Sequence, residues 1–231
     1  FINNVKPGPE IKKKTNLLLP FIAVLAVIAF LLVLQRDIST LGIIGLVGIM
    51  MYFLSGAPLA HIAILFGLGI SGILIMVRLA PYRFSRLMMF LHPDSDPLGQ
   101  GYQIKQALIG IGSGGLTGVG LGLSLQKFGV LPEPISDSIF AIFSEELGFL
   151  VVIVFALRIF ILAKRAHDQF SKLVLVGIAS WITLQAFVNI GSMAGILPLA
   201  GIPLPFISYG GSALISELIG IGLLLNISKQ A

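Results

Sequence analysis

Residues 17–34 read LLLPFIAVLAVIAFLLVL. The run carries no charge and no polar side chain, and as a helix it is long enough to cross the ~30 Å hydrocarbon core of a bilayer. Comparable apolar runs recur near 41–54, 59–77, 139–163, 173–194 and 212–227. Their repetition decides the fold class: an all-α, polytopic transmembrane helix bundle. Composition agrees, with 56% of the 231 residues hydrophobic and 11% charged and a mean hydropathy of +1.02. A soluble domain holds about 45–50% apolar and about 25% charged residues, so a soluble enzyme with a large core is excluded. The absence of cysteine removes disulfide scaffolds and thiol catalysis. The net charge of +5 is not gathered into a basic stripe on a soluble face, so nucleic acid is not a partner.

Polar punctuation separates the runs. It consists of Gln35-Arg36-Asp37, the turn Ser55-Gly56-Ala57-Pro58, and Lys164-Arg165-Ala166-His167-Asp168. Between the third and fourth runs, residues 79–138 mix charges, prolines, glycines and short amphipathic pieces. Within them, 82–91 and 102–111 read as interfacial helices with a basic side. Counting faces alternately puts Lys6, Lys12, Lys13, Lys14, Lys164, Arg165, Lys172 and Lys229 on one side, which the positive-inside rule makes cytoplasmic. The C-terminus is then cytoplasmic, and the loop 79–138 and the segment 195–211 are extracytoplasmic. One membrane domain is expected over 1–231. The first fourteen residues are polar and basic, without the apolar core of a signal peptide, and a start at Phe1 reads as part of a longer chain.

Four motifs carry the chemistry. The glycine-rich stretch from Gly110 to Gly122 has no P-loop lysine after it and no βαβ context, so it reads as tight packing or as a passage for a substrate phosphate, not as a nucleotide site. Asp137, at the head of the fourth run, reads as a helix N-cap together with Ser136, or as a general base at the membrane–water boundary. Glu145 and Glu146 lie about two turns deeper. Carboxylates at that depth are costly and face either an ion partner or a water-filled site. Glu217 in the last run poses the same choice. The segment 196–212 contains Pro198, Pro203 and Pro205 and cannot be helical throughout. Irregular backbone near membrane depth must be satisfied by protein or line a cavity, so this segment is expected to pack against the outer loop. Asp37 reads as a solvated helix end or as a holder of an outer arginine. His61, His92 and His167 do not have metal-ligand spacing.

Taken together, these stretches resemble the SEDS family of shape, elongation, division and sporulation proteins, which includes FtsW, RodA and SpoVE. The resemblance is carried by Gln35-Arg36-Asp37-Ile38-Ser39-Thr40, Tyr82-Arg83-Phe84-Ser85-Arg86, Gly101-Tyr102-Gln103-Ile104, Leu131-Pro132-Glu133, Asp137-Ser138-Ile139-Phe140-Ala141 and Glu145-Glu146-Leu147-Gly148. The most specific piece is Pro203-Leu204-Pro205-Phe206-Ile207-Ser208-Tyr209-Gly210-Gly211-Ser212. Gly118-Val119-Gly120-Leu121-Gly122, followed by Ser124-Leu125-Gln126-Lys127, is closer to the FtsW branch than to RodA. The chain departs from the family pattern at Arg36 (usually Pro), Ser39 (usually Gly), Ser138 (usually Phe) and Ala200 (usually Thr). The family has ten transmembrane helices, and the six runs here correspond to the last six.

The resemblance implies a peptidoglycan glycosyltransferase that polymerises lipid II into β-1,4 glycan in bacterial division or elongation. It places the family's essential aspartate at Asp137, as catalytic base. Arg83, Arg86, Lys105 and Lys127 are the outer-face cations for the pyrophosphate leaving group, and Glu145, Glu146, Ser208 and Tyr209 complete the substrate-binding set. It also implies a divalent cation, Mg2+ or Mn2+, held by water and phosphate rather than by a protein cage. The implied partners are membrane lipids, a class B penicillin-binding protein and divisome proteins, in the bacterial cytoplasmic membrane. The alternatives are a lipid II flippase, which would need a polar path across the bilayer, and a non-catalytic divisome scaffold.

Overall fold

The computed structural model describes residues 18–79, 81–92, 96, 99–128, 131–132, 137–147 and 169–229. Among them every regular element is a helix. In chain order these are α1 (Leu18–Leu34), α2 (Ile38–Leu54), α3 (Leu59–Leu79), α4 (Pro81–Leu91), α5 (Gln100–Gly114), α6 (Ile139–Leu147), α7 (Gln169–Met193) and α8 (Gly211–Lys229). Two stretches, Leu59–Met76 and Leu173–Met193, are long and apolar enough to cross a membrane, and Leu18–Leu34, Ile38–Leu54 and Gly211–Ile227 are shorter apolar helices. The continuation of the fourth apolar run beyond Leu147, the basic loop after it and the N-terminal lysines lie outside the described residues.

The chain divides into two compact units, Phe1–Ser71 and Gly72–Ala231. In the first, α1 ends at a tight turn in which Arg36 takes a positive φ of 60°. Asp37 then caps α2 by accepting the Thr40 N–H at 3.0 Å, a bond of about 1 kcal/mol at a helix start. Gly48 lets α1 approach α2: a Cβ there would touch the Phe21 ring at 3.4 Å and Leu25 at 3.5 Å. The Phe21 and Tyr52 rings stack with centroids 4.7 Å apart, and the Tyr52 hydroxyl meets His61 Nδ1 at 2.9 Å. His61 thus joins a side-chain pair within this unit.

In the second unit, α5 packs along α6, and both touch α7. The core here consists of Ala107, Leu131, Phe140, Ala141, Met193 and Leu204, with Ile111, Ile139, Ala186 and Ile190 against it. Between membrane helices, association depends on small residues that admit close backbone approach. Gly110 and Gly114, one turn apart on α5, do this: a Cβ on Gly110 would press on Gln126 and the Ala141 carbonyl, and one on Gly114 would overlap the Ser144 carbonyl. The outward surfaces are apolar. Leu68 and Leu74 on α3 are 54% and 60% exposed, as helices that face lipid require.

Candidate functional site

Asp137 and Ser138 form the turn that leads into α6. Asp137 is half-buried, whereas Ser138 is fully buried. The Asp137 main-chain carbonyl accepts from Asn189 Nδ2 on α7 at 3.0 Å, and the Ser138 hydroxyl accepts from Gln103 Nε2 on α5 at 2.8 Å. Two neighbouring helices therefore grip the turn. Its carboxylate lies beside the irregular segment 194–210: a Cβ on Gly201 would meet Asp137 Oδ2 at 3.5 Å and Arg86 Nη1 at 3.9 Å. Gly201 has a φ of +64° and no side chain, so the acid and the guanidinium converge on bare backbone. Arg86, on α4, donates to the Leu199 carbonyl of the same segment at 3.4 Å. An acceptor and a planar cation thus face one stretch of irregular chain.

That stretch is held from α7 and α8. Asn189 Nδ2 also donates to the Ile202 carbonyl at 2.7 Å, Gln185 Nε2 to the Pro203 carbonyl at 3.1 Å, and the Ser192 hydroxyl to the Pro198 carbonyl at 2.9 Å. Residues 185, 189 and 192 are spaced to share one helix stripe, and all three are buried. Glu217 on α8, also buried, accepts the Phe206 N–H at 2.8 Å and the Gln185 amide at 3.2 Å. Phe206 has a positive φ of 64°, a strained conformation for an aromatic residue, and the Glu217 bond fixes it. Ser208 accepts the Leu204 N–H at 2.7 Å, so its hydroxyl closes the turn, while Tyr209 is 83% exposed.

The other carboxylates face a different loop. Glu145 is buried on α6. It accepts the Ser124 hydroxyl in a short bond, the Ser113 hydroxyl at 3.2 Å, and the N–H groups of Leu125 and Gln126 at 3.4 Å each. Glu146 accepts from Lys127 at 2.9 Å, and Lys127 also reaches the Gly122 carbonyl at 2.6 Å. The glycine-rich loop 115–128 is thereby tied to the end of α6. Val119 and Gly120 donate to the Glu145 and Glu146 main-chain carbonyls at 2.8 and 3.1 Å, and a Cβ on Gly118 would overlap the Glu146 carbonyl.

A family model described as "Cell cycle protein", covering FtsW, RodA and SpoVE, matches residues 2–231. The chain belongs to the FtsW/RodA/SpoVE family. It is 45% identical to stage V sporulation protein E of Bacillus subtilis over 88% of this chain and 58% of that protein. It is 39% identical to a probable peptidoglycan glycosyltransferase FtsW of Escherichia coli O6:H1 over 98% of this chain and 57% of the relative. A third relative, a probable peptidoglycan glycosyltransferase FtsW of Saccharophagus degradans, is 42% identical, with 89% and 56% covered. The chain therefore spans less than two thirds of the length of these relatives. Among solved structures it resembles a chain from work described as "Structural coordination of polymerization and crosslinking by a peptidoglycan synthase complex", with a TM-score of 0.61 and 30% identity over 94% of this chain and 60% of that one. As a member of this family, the protein is an all-α polytopic membrane protein.

Set against the sequence reading of this FtsW-like chain, the residues fall into two groups. Asp137 and Arg86 come together at the irregular segment that also contains Ser208 and Tyr209. Glu145, Glu146 and Lys127 come together at the glycine-rich loop. Lys105 is exposed on α5, two residues beyond Gln103. The Arg83 side chain, Glu133 and Ser136 lie outside the described residues. Gln103, Gln185, Asn189 and Ser192 were given no role from sequence. The signal that could have found the last three is their spacing: polar side chains at i, i+4 and i+7 in an otherwise apolar span rarely face lipid.

Proposed function

We propose that this chain carries the outer-face catalytic region of a peptidoglycan glycosyltransferase that polymerises lipid II into β-1,4 glycan strands during division or elongation. The observation that carries the reading is the convergence of the Asp137 carboxylate and the Arg86 guanidinium on Gly201. The activity in the names of two FtsW relatives supports it. In this reading Asp137 takes the proton from the 4-hydroxyl of the acceptor N-acetylglucosamine. The freed oxygen bonds to the anomeric carbon of the donor N-acetylmuramic acid, and the bond to undecaprenyl pyrophosphate breaks with inversion. The leaving group departs as an anion, so the site needs cationic stabilisation more than an acid. Arg86 offers a planar fork suited to phosphate, with Arg83 and Lys105 as further positive charge. Lys127, Glu145, Glu146 and Ser208 act one step back by holding the two loops, and Tyr209 is open to the glycan.

Among the described residues no three His, Asp or Glu side chains gather, so the donor set does not fit a caged metal. A single carboxylate at Asp137 fits an Mg2+ or Mn2+ ion that keeps water and phosphate as its other ligands. Such an ion, when bound, adds charge neutralisation at the pyrophosphate. We place the protein in the bacterial cytoplasmic membrane with this site outside and the C-terminus inside. The expected partners are a class B penicillin-binding protein and the divisome, since the similar structure comes from a complex of polymerisation and crosslinking.

The test is polymerisation of labelled lipid II by the full-length protein with its penicillin-binding partner and Mg2+ or Mn2+, beside Asp137→Ala. Wild type is expected to make glycan chains, and the folded variant to make none. A variant that polymerises like wild type overturns the assignment of the base.

A further inference from the structure

The loop 115–128 is inverted relative to a loop that faces water. Two of its polar side chains point inward, with Ser124 fully buried and Gln126 5% exposed. Its large apolar side chains point outward: Leu121, Leu123, Leu125 and Phe128 are 76%, 65%, 71% and 74% exposed. Along 123–126 the two classes alternate residue by residue. Eight of the loop's backbone N–H groups are bonded within the protein. The N–H groups of Gly118, Val119, Gly120, Leu123 and Phe128 donate to main-chain carbonyls, and those of Ser124, Leu125 and Gln126 to Glu145 and Glu146. Even the one cation, Lys127, is neutralised by Glu146. In water none of this closure is required. In hydrocarbon all of it is, because nothing else can satisfy a backbone polar group.

We propose that the leucine crest of this loop is a membrane anchor, seated among the acyl chains of the bilayer. Two further observations favour lipid. The crest continues the outward face of α5, where Leu108 and Ile109 are 44% and 56% exposed, a degree of exposure similar to Leu68 on the membrane-length helix α3. The loop is also tied to Glu145, which lies about 9 Å along the helix axis from Ile139, the first residue of α6 after the Asp137 turn, at 1.5 Å per residue. If Asp137 marks the water boundary, the crest is at hydrocarbon depth. A protein partner fits less well. Strand addition needs free backbone groups, and these N–H groups are used. A protein interface carries a polar rim, and between Thr117 and Lys127 the exposed side chains are only valine and leucine. The anchor would set the depth of α6, and through it the height of Asp137 above the membrane.

The chain contains no cysteine, so single nitroxide labels can be placed at Leu121→Cys and Leu125→Cys. The experiment uses the full natural protein, with any cysteine outside this region replaced by serine, in phosphatidylethanolamine–phosphatidylglycerol vesicles. Leu68→Cys on α3 serves as the lipid reference. Oxygen is expected to relax the labels more than a water-soluble nickel chelate, with the same sign as at Leu68→Cys. Greater access for the chelate puts the crest in water and overturns the proposal. An immobilised label reached by neither puts protein over the crest and overturns it equally. As a second measurement, Leu123→Trp, with Trp181 and any tryptophan outside this region replaced by phenylalanine, should show a blue-shifted emission that is lost on brominated acyl chains, and unchanged intensity overturns the anchor. None of these readouts depends on polymerase activity.

Discussion

Two irregular segments flank α6, and each has its backbone satisfied by side chains of the opposite kind. The segment 194–210 contains three prolines. Proline has no N–H but keeps its carbonyl, so this chain is rich in acceptors, and the helices around it supply donors: the Asn189 and Gln185 amides and the Ser192 hydroxyl. The loop 115–128 contains four glycines and no proline. It therefore keeps every N–H, and α6 supplies acceptors for three of them, the Glu145 and Glu146 carboxylates. The exception follows the same rule: where a non-proline N–H remains in the first segment, at Phe206, the residue that meets it is again a glutamate, Glu217.

This contrast orders the expected effects of substitution. The largest stability loss should come from Glu145→Leu, which leaves the Ser124 hydroxyl and two N–H groups without an acceptor, while Ser113 keeps the Gly110 carbonyl. With bonds in membrane proteins contributing on average ~0.6 kcal/mol and at most ~1.7, a loss of about 3 kcal/mol is expected in thermal unfolding in detergent. Amide hydrogen exchange at Leu125 and Gln126 should speed up selectively. Glu145→Gln keeps an acceptor and should lose less, and unchanged exchange in Glu145→Leu would refute the acceptor account. Next comes Asn189→Leu, which removes the donor shared by the Asp137 and Ile202 carbonyls, at about 1–3 kcal/mol. Asn189→Asp, which replaces the donor by an acceptor, should be no better, and a stable Asn189→Asp would mean that shape rather than donation holds the segment.

Gly118→Ala should cost about 1–3 kcal/mol through backbone displacement, since its Cβ overlaps the Glu146 carbonyl and its φ is +79°. Gly112→Ala, with nothing near its Cβ, is the control and should unfold no lower than wild type, since alanine in a helix interior is favoured over glycine by about 0.5–1 kcal/mol. Lys127→Met separates the two settings of this loop. The pair with Glu146 is 30% and 16% exposed: in water such a pair contributes about 0–1 kcal/mol, whereas at hydrocarbon depth loss of one partner leaves Glu146 uncompensated at about 3–5 kcal/mol. The membrane anchor requires the larger loss.

Much of the fold was legible because hydropathy is a local property. The apolar runs marked the helices, and Ser55 to Pro58 and the three prolines marked where helix could not continue. Asp137 and the paired glutamates stood out as charge in apolar surroundings. Their partners did not. Nothing near Glu145 in sequence announces Ser124, Leu125 or Gln126, and Asn189 lies 52 residues from the carbonyl it holds at Asp137. Sequence alone determined an all-helical membrane chain, interrupted by one proline-rich and one glycine-rich segment, with buried carboxylates that needed an explanation. Only the tertiary structure decided which carboxylate serves which loop and which acid faces Arg86. A helix propensity or an apolar run sums contributions from neighbours along the chain, whereas a hydrogen bond between distant residues depends on how closely and at what angle two helices meet, which here rests on the contacts of Gly110, Gly114 and Gly118 with α6.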